Sequence, residues 1–395
     1  LTPYPKGRLG QDYIDFRREA YRTTGKWDSP EDDPAIFGSQ WDAVQQGKWV
    51  DWIDLMLNNG SLQNHQISVS GGNEKTTSYL SAGYFNEVGA VKDDFSRYNI
   101  RLNIDHNISK QVKTGAKIQV TYTDRNARKD AFGKAISATP LGTPYDEDGN
   151  IVIYPIVNDN ATLSPLTDLR PNAAIDNTIG TRVFTSAYID IEPVKSLTFR
   201  SIVGANLNYE RQGVFNDSAS MAQINTKQNE ASVNTTNFRY INWDNVLTFS
   251  KEINKHLITL TALTSYTWNE RDYFTASGIR QQLTSPLFYR LAATDPESRK
   301  IDSYYQSSKT LSLAGRINYS YRGKYLLTAT YRTDGASQLA PGNKWSSFPS
   351  FAVAWRISDE PFMQNIGQVN NLKLRLSYGV TGNASIPPYG TQSLV

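Results

Sequence analysis

Few side chains in this sequence could do chemistry, and their spacing suggests little of it. The three histidines, His65, His106 and His256, lie far apart, and scattered single histidines are more often structural or solvated than metal-ligating. Cysteine is absent, which excludes disulfides, thiolate nucleophiles and thiolate metal sites. No glycine-rich phosphate loop follows a strand and opens a helix, and no Ser/His/Asp or Cys/His arrangement stands out. An enzyme is therefore not expected. The run Asp146-Glu147-Asp148-Gly149-Asn150 invites calcium, because carboxylates precede a turn glycine. It lacks the later bidentate glutamate of an EF-hand, and Asp-Gly-Asn is common turn chemistry. No cofactor is expected, and calcium here is the lesser alternative. Trp27, Trp41, Trp49 and Trp52 cluster within 1–60. Exposed indoles could stack on sugar rings or anchor a partner, whereas buried ones would hold the segment together. These four, with Tyr145, Asp146 and Asp148, are the candidate substrate or partner contacts.

The elements that must position them are strands. The net charge is +3 with both signs interspersed, giving no basic stripe for nucleic acid. No run approaches the roughly 20 apolar residues of a membrane helix. Tyrosine is abundant (23) and methionine scarce (3), with Thr, Tyr, Val and Ile in blocks punctuated by Gly, Asn, Asp and Pro. Periodicity then sharpens the picture. Tyr98, Ile100, Leu102, Ile104, His106 and Ile108 alternate with Arg97, Asn99, Arg101, Asn103, Asp105 and Asn107. Stretches 112–122, 197–209, 311–319 and 372–380 behave alike, with only Ile202 and Ala314 apolar on the polar face. A helix cannot produce a period of two, so these are strands between two unlike surroundings.

Twelve such strands are expected, at 62–72, 75–86, 97–108, 112–123, 181–191, 196–209, 236–249, 257–271, 305–320, 324–335, 348–357 and 371–381. Their connections alternate. Short ones (73–74, 109–111, 192–195, 251–256, 321–323) interleave with long ones (87–96, 124–180, 210–235, 272–304, 336–347), and 358–370 occupies a short-turn slot. That order describes a transmembrane up-and-down barrel, because Greek-key crossovers would break it. A soluble all-β protein would also alternate, with its apolar face buried. Membrane is favoured by tyrosines at strand ends: Tyr98, Tyr122, Tyr209 and Tyr331 beside long loops, Tyr319 and Tyr325 beside a short turn. Long basic groups at mid-strand (Arg101, Lys117, Arg200, Arg316, Arg375) suit a wet or plugged lumen. The chain divides into an extracellular loop region, 1–60, leading into barrel strands and connections over 61–395.

The segment from Gln63 to Lys75, QNHQISVSGGNEK, resembles the QNHxxSVSGG hairpin of SusC/RagA-type TonB-dependent outer-membrane transporters. So does its continuation through Tyr79-Leu80-Ser81-Ala82-Gly83-Tyr84-Phe85-Asn86 to Arg97-Tyr98. Tyr331-Arg332-Thr333-Asp334-Gly335 is similar to the family's YRxDGSS strand end. Phe348-Pro349-Ser350 with Ala354-Trp355-Arg356 is similar to its FPSxxxAWR strand, and Leu374 to Asn383 to its LRxSYGxTGN strand. The resemblance spans nearly the whole chain and implies a bacterial outer-membrane protein of the Bacteroidetes type. It further implies a barrel of about 22 strands, of which about twelve are here. A plug domain and TonB-contacting segment, neither visible in this sequence, would complete the transporter. The implied partners are a SusD-like lipoprotein lid, the TonB complex and outer-membrane lipid, with glycan oligosaccharides or peptides as substrate. Two alternatives stay open: a soluble or surface glycan-binding or adhesive module, and a passive porin.

Overall fold

The computed structural model describes residues 6–91, 93–127, 131–363 and 367–391. Twelve strands form one antiparallel sheet in sequence order: β1 (Ser61–Gly72), β2 (Thr76–Val88), β3 (Asp94–Asn107), β4 (Val112–Asn126), β5 (Ala174–Val194) and β6 (Leu197–Asn216), then β7 (Glu230–Ile253), β8 (His256–Ile279), β9 (Lys300–Tyr321), β10 (Tyr325–Ala336), β11 (Trp345–Arg356) and β12 (Lys373–Gly379). Every strand expected from the alternation is present, and the connections alternate short and long except at two places: the expected long connection 87–96 is reduced to 89–93, and the short-turn slot between β11 and β12 holds the longer segment 357–372.

The short turns are set by local chemistry. Asn73 Oδ1 accepts the backbone N–H groups of Lys75 and Thr76, both at 2.9 Å. Ser109 Oγ accepts those of Gln111 and Val112, both at 3.1 Å. Each side chain replaces a missing backbone acceptor, as Asx and Ser/Thr turns do. The β9–β10 turn has two left-handed residues, Arg322 at φ 54° and Gly323 at φ 68°, and glycine takes the second without a side-chain penalty.

Register keeps one face apolar across all twelve strands. A single cross-strand row joins Val69, Leu80, Leu102 and Ile118, and another joins Leu260, Ile317, Ala329 and Phe351. Residues opposite each other in a ladder share a face, so the apolar set runs from strand to strand, with Thr185, Ser201, Asn245 and Thr264 as polar members across β5–β8. It is bordered by rings on both sides. His65, Tyr84, Tyr98 and Tyr122 follow one another at centroid spacings of 6.3, 5.1 and 6.3 Å on the long-connection side. His256 lies 5.9 Å from Tyr319 and 4.6 Å from Tyr321 on the short-turn side. Two of the three histidines are thus members of aromatic belts. The third, His106, hydrogen-bonds Thr76 Oγ1 at 2.7 Å. From Tyr98 to Ile108 the band is roughly 25 Å tall at a 45° tilt, the height of an outer-membrane apolar belt. A hollow of ≈ 560 Å³ on this face, around Ala262, Gly315 and Ala329, has space for acyl chains.

The long connections are shorter than 124–180, 210–235 and 272–304, because β5–β9 run on beyond the apolar band. They end at 127–173, 217–229 and 280–299. β7 and β8 are 24 residues each, against 12 for β1 and 13 for β2. Above Ile241 and Trp268 the outer face becomes mixed, with Arg239 and Glu270 paired at 2.9 Å, so alternation fades. The ladder nevertheless continues unbroken to Glu230↔Ile279. Connection 280–299 folds back on this upper wall, where Phe288 packs with Phe215 and Ala231. Gly213 permits that approach, since a Cβ there would lie 2.2 Å from the Phe288 ring.

Within 1–60, the described residues 6–60 are helical rather than irregular. They hold α1 (Gly10–Arg22), α2 (Asp33–Phe37), α3 (Trp41–Gln45) and α4 (Trp52–Met56). Asp51 caps α4 by accepting the N–H groups of Ile53 and Asp54. The module packs on the β4–β5 connection, which contains α5 (Ala131–Ser137). Val50, Trp52, Ile53 and Met56 share one core with Ala135 and Leu166.

Candidate functional site

The structure places the seven candidate contacts in three settings. Trp27 and Trp52 are interior, 7% and 3% exposed, so neither offers its ring to a ligand. Trp27 Nε1 donates to Asp33 Oδ1 at 2.9 Å, with Ile36 and Phe37 around the indole. Trp52 Nε1 donates to the Thr139 carbonyl at 2.7 Å, tying α4 to the β4–β5 connection. Their role as direct contacts is corrected to one of packing, because a buried indole with a satisfied N–H anchors its own segment. The Arg18 guanidinium beside Asp33 holds that carboxyl below the usual carboxylate range, against the opposing effect of burial. Trp41 and Trp49 are half-buried, with rings 5.8 Å from Phe37 and 6.1 Å from Tyr13.

Tyr145, Asp146 and Asp148 sit exposed on a small hairpin closed by the Tyr145–Ile151 bridge. Asp146 Oδ1 accepts from Asn150 N at 2.7 Å and from Asp148 N at 3.1 Å. Those bonds, Asn150 first, lower its pKa and commit the carboxylate to folding the turn. Among the described residues no cluster of three or more acidic or histidine side chains could hold a metal ion.

The polar face of the sheet forms two hollows instead. One, of ≈ 590 Å³, is lined by Asn64, Gln66, Arg97, Asn99, Gln119 and Arg182, with Phe184 beside them. Its lining has no carboxylate, and Arg182 Nε donates to Asn206 Oδ1 at 2.8 Å. The second, of ≈ 570 Å³, lies higher, where β5–β7 rise beyond the apolar band. Its wall is Asp176, Gln212, Asn234 and Glu230, and its roof is Met56 of α4, Lys134 of α5 and Leu169. Two donor relays end there. Asn234 Nδ2 donates to Gln212 Oε1 at 3.1 Å, and Gln212 Nε2 donates to Asp176 Oδ1 at 2.7 Å. Gln223 Nε2 donates to Glu230 Oε2 at 2.8 Å, while Thr226 donates to Gln223.

Sequence reasoning missed this second site because its members lie in five separate segments, and three of them in strand extensions read as loop. The available signal was the polar pair Gln212 and Asn216, which carries the polar face of β6 past the end of its clean alternation.

No protein-family model matches the chain. TonB-dependent receptor P26 of Formosa agariphila is 33% identical over 350 residues, covering 87% of this chain and 35% of that protein. TonB-dependent receptor SusC of Bacteroides thetaiotaomicron is 24% identical over 365 residues, covering 85% and 35% respectively. The chain therefore spans about a third of the length of these curated relatives. The solved RagAB peptide transporter superposes over 100% of this chain and 47% of its own, with a TM-score of 0.79 at 20% identity, and so shows the fold. In sequence and in architecture alike, the chain belongs to the SusC-like TonB-dependent outer-membrane transporters, and its twelve strands are part of their β-barrel wall.

Proposed function

We propose that this wall belongs to an active importer of glycan oligosaccharides or peptides. Ligand is captured on the long-connection side beneath a SusD-like lipoprotein lid, and passage is energised through TonB acting on a plug domain. The observation that supports this most is the continuous sheet with a belted apolar face and a hollowed polar one. A wall of that kind encloses a lumen within a membrane, and the relatives named TonB-dependent receptors share it over most of this chain. On this reading the module 6–60 and the upper wall face outward from the cell. Epitope tags at Asp148 and at Lys110 of the full-length transporter test the sidedness. Antibody on intact cells is expected to reach the first and not the second, and the opposite pattern would invert the reading.

Trp41 and Trp49 are the proposed lid contacts, because their rings remain partly open at the module surface. Truncating an aromatic anchor buried against a partner typically costs about 2 kcal/mol or more. Trp41→Ala with Trp49→Ala should reduce co-purification of the lipoprotein while the barrel still assembles. Undiminished co-purification would remove these residues from the interface.

A further inference from the structure

We propose that the rim cavity between β5–β7 and α4–α5 is a recognition subsite for a ligand ammonium group, supplied by a lysine side chain or the amino terminus of a peptide. This rests on the import reading and names a substrate class for it. Asp176 and Glu230 each end a relay of neutral donors, so the amide N–H groups of Gln212 and Gln223 already point at them. What they still offer a ligand is acceptor oxygens, since ionised carboxylates only accept. Neither forms an ion pair with a cation among the described residues. The two stand two strands apart, roughly 10 Å, too far to share one metal ion. Both are half-buried beneath a roof, so a cation reaching them is partly shielded from water.

The lining decides the sign and the source. Among the described residues of the lining, Asp176 and Glu230 face one basic side chain, Lys134, so anionic ligands are disfavoured. Among the described residues no aromatic ring lines the cavity, so a sugar finds no stacking platform there. Its apolar remainder (Met56, Leu169, Val214, Met221) suits aliphatic stems of the kind a lysine presents.

The test measures binding of trilysine to the detergent-purified, full-length transporter with its lid, beside fully acetylated trilysine and a glucosamine trimer. Trilysine is expected to bind, the acetylated form to bind weakly, and salt to weaken the first. Asp176→Asn with Glu230→Gln should weaken trilysine by about tenfold to a hundredfold and leave the acetylated probe unchanged. The same carboxylate-dependent binding of the glucosamine trimer would keep the ammonium subsite and assign it to an amino sugar. Failure of trilysine to bind, or equal binding to the double variant, would overturn the proposal. Because this binding needs neither TonB nor a membrane, its failure is separable from a failure of import or of sidedness.

Discussion

Ile104→Arg in the full-length transporter is expected to destabilise the folded barrel by about 2–4 kcal/mol, the cost of arginine at the bilayer midplane on a lipid-facing strand. Ile104 lies between Tyr98 of the upper belt and Ile108 near the turn, and its row continues through Ala116 to Ala187. Its neighbour Asn103 points to the polar face, opposite Lys117 and Tyr79. Asn103→Arg should therefore cost well under the lipid-facing change, although it adds the same charge one residue away. The measurement is the fraction of heat-modifiable, folded barrel on a gel, followed by urea refolding into vesicles. Equal loss in the two variants would mean that the two faces are not lipid and lumen, and the assignment of the apolar band would fall.

Trp52→Ala carries a comparable expected cost, about 3–5 kcal/mol, but in a different part of the molecule. The indole is enclosed by the core shared between α4 and α5, and its N–H bond to Thr139 is one of the ties between 6–60 and the β4–β5 connection. Losing it should expose both segments together to hydrogen exchange and protease, while β1–β12 keep their protection. Trp52→Phe, which retains much of the apolar contact and loses the hydrogen bond, should cost about 1 kcal/mol. The rim cavity is roofed by the same elements, so ligand binding should weaken in parallel with the loss of protection. Unchanged exchange in 6–60 and 127–173 of Trp52→Ala would show that this core does not hold the module in place.

The strands were legible wherever their two faces meet unlike solvents. Tyr98 to Ile108 alternates so cleanly because each odd residue answers to one environment and each even residue to another. Above Arg239 and Glu270 the outer face mixes polar Asn237 and Asp272 with apolar Val233 and Phe274, the same backbone ladder continues, and the alternation no longer reports it. The helices of 6–60 were missed for a different reason. Their signals are a three-to-four-residue spacing, such as Tyr13, Arg17 and Tyr21, and a cap such as Asp51, not a period of two. The tryptophans were visible as a cluster, but composition does not say which indoles are interior. The rim cavity was illegible for lack of proximity: Met56 and Asn234 meet only after β5, β6 and β7 have been laid side by side.

The pairing of β7 with β8 runs through 24 residues without a slipped register, and β8 with β9 is likewise uninterrupted. A ladder of that length shares any pull along the strands among many hydrogen bonds loaded together in shear, so no single bond meets the whole force. The tall part of the wall is thus a stiff frame. The elements outside that ladder, namely the helical module, the β4–β5 connection and the turn-rich segment 280–299 resting on Gly213, are held by side-chain cores and a few isolated bonds such as Val50 N to the Pro140 carbonyl at 3.1 Å, so strain on this wall gathers there.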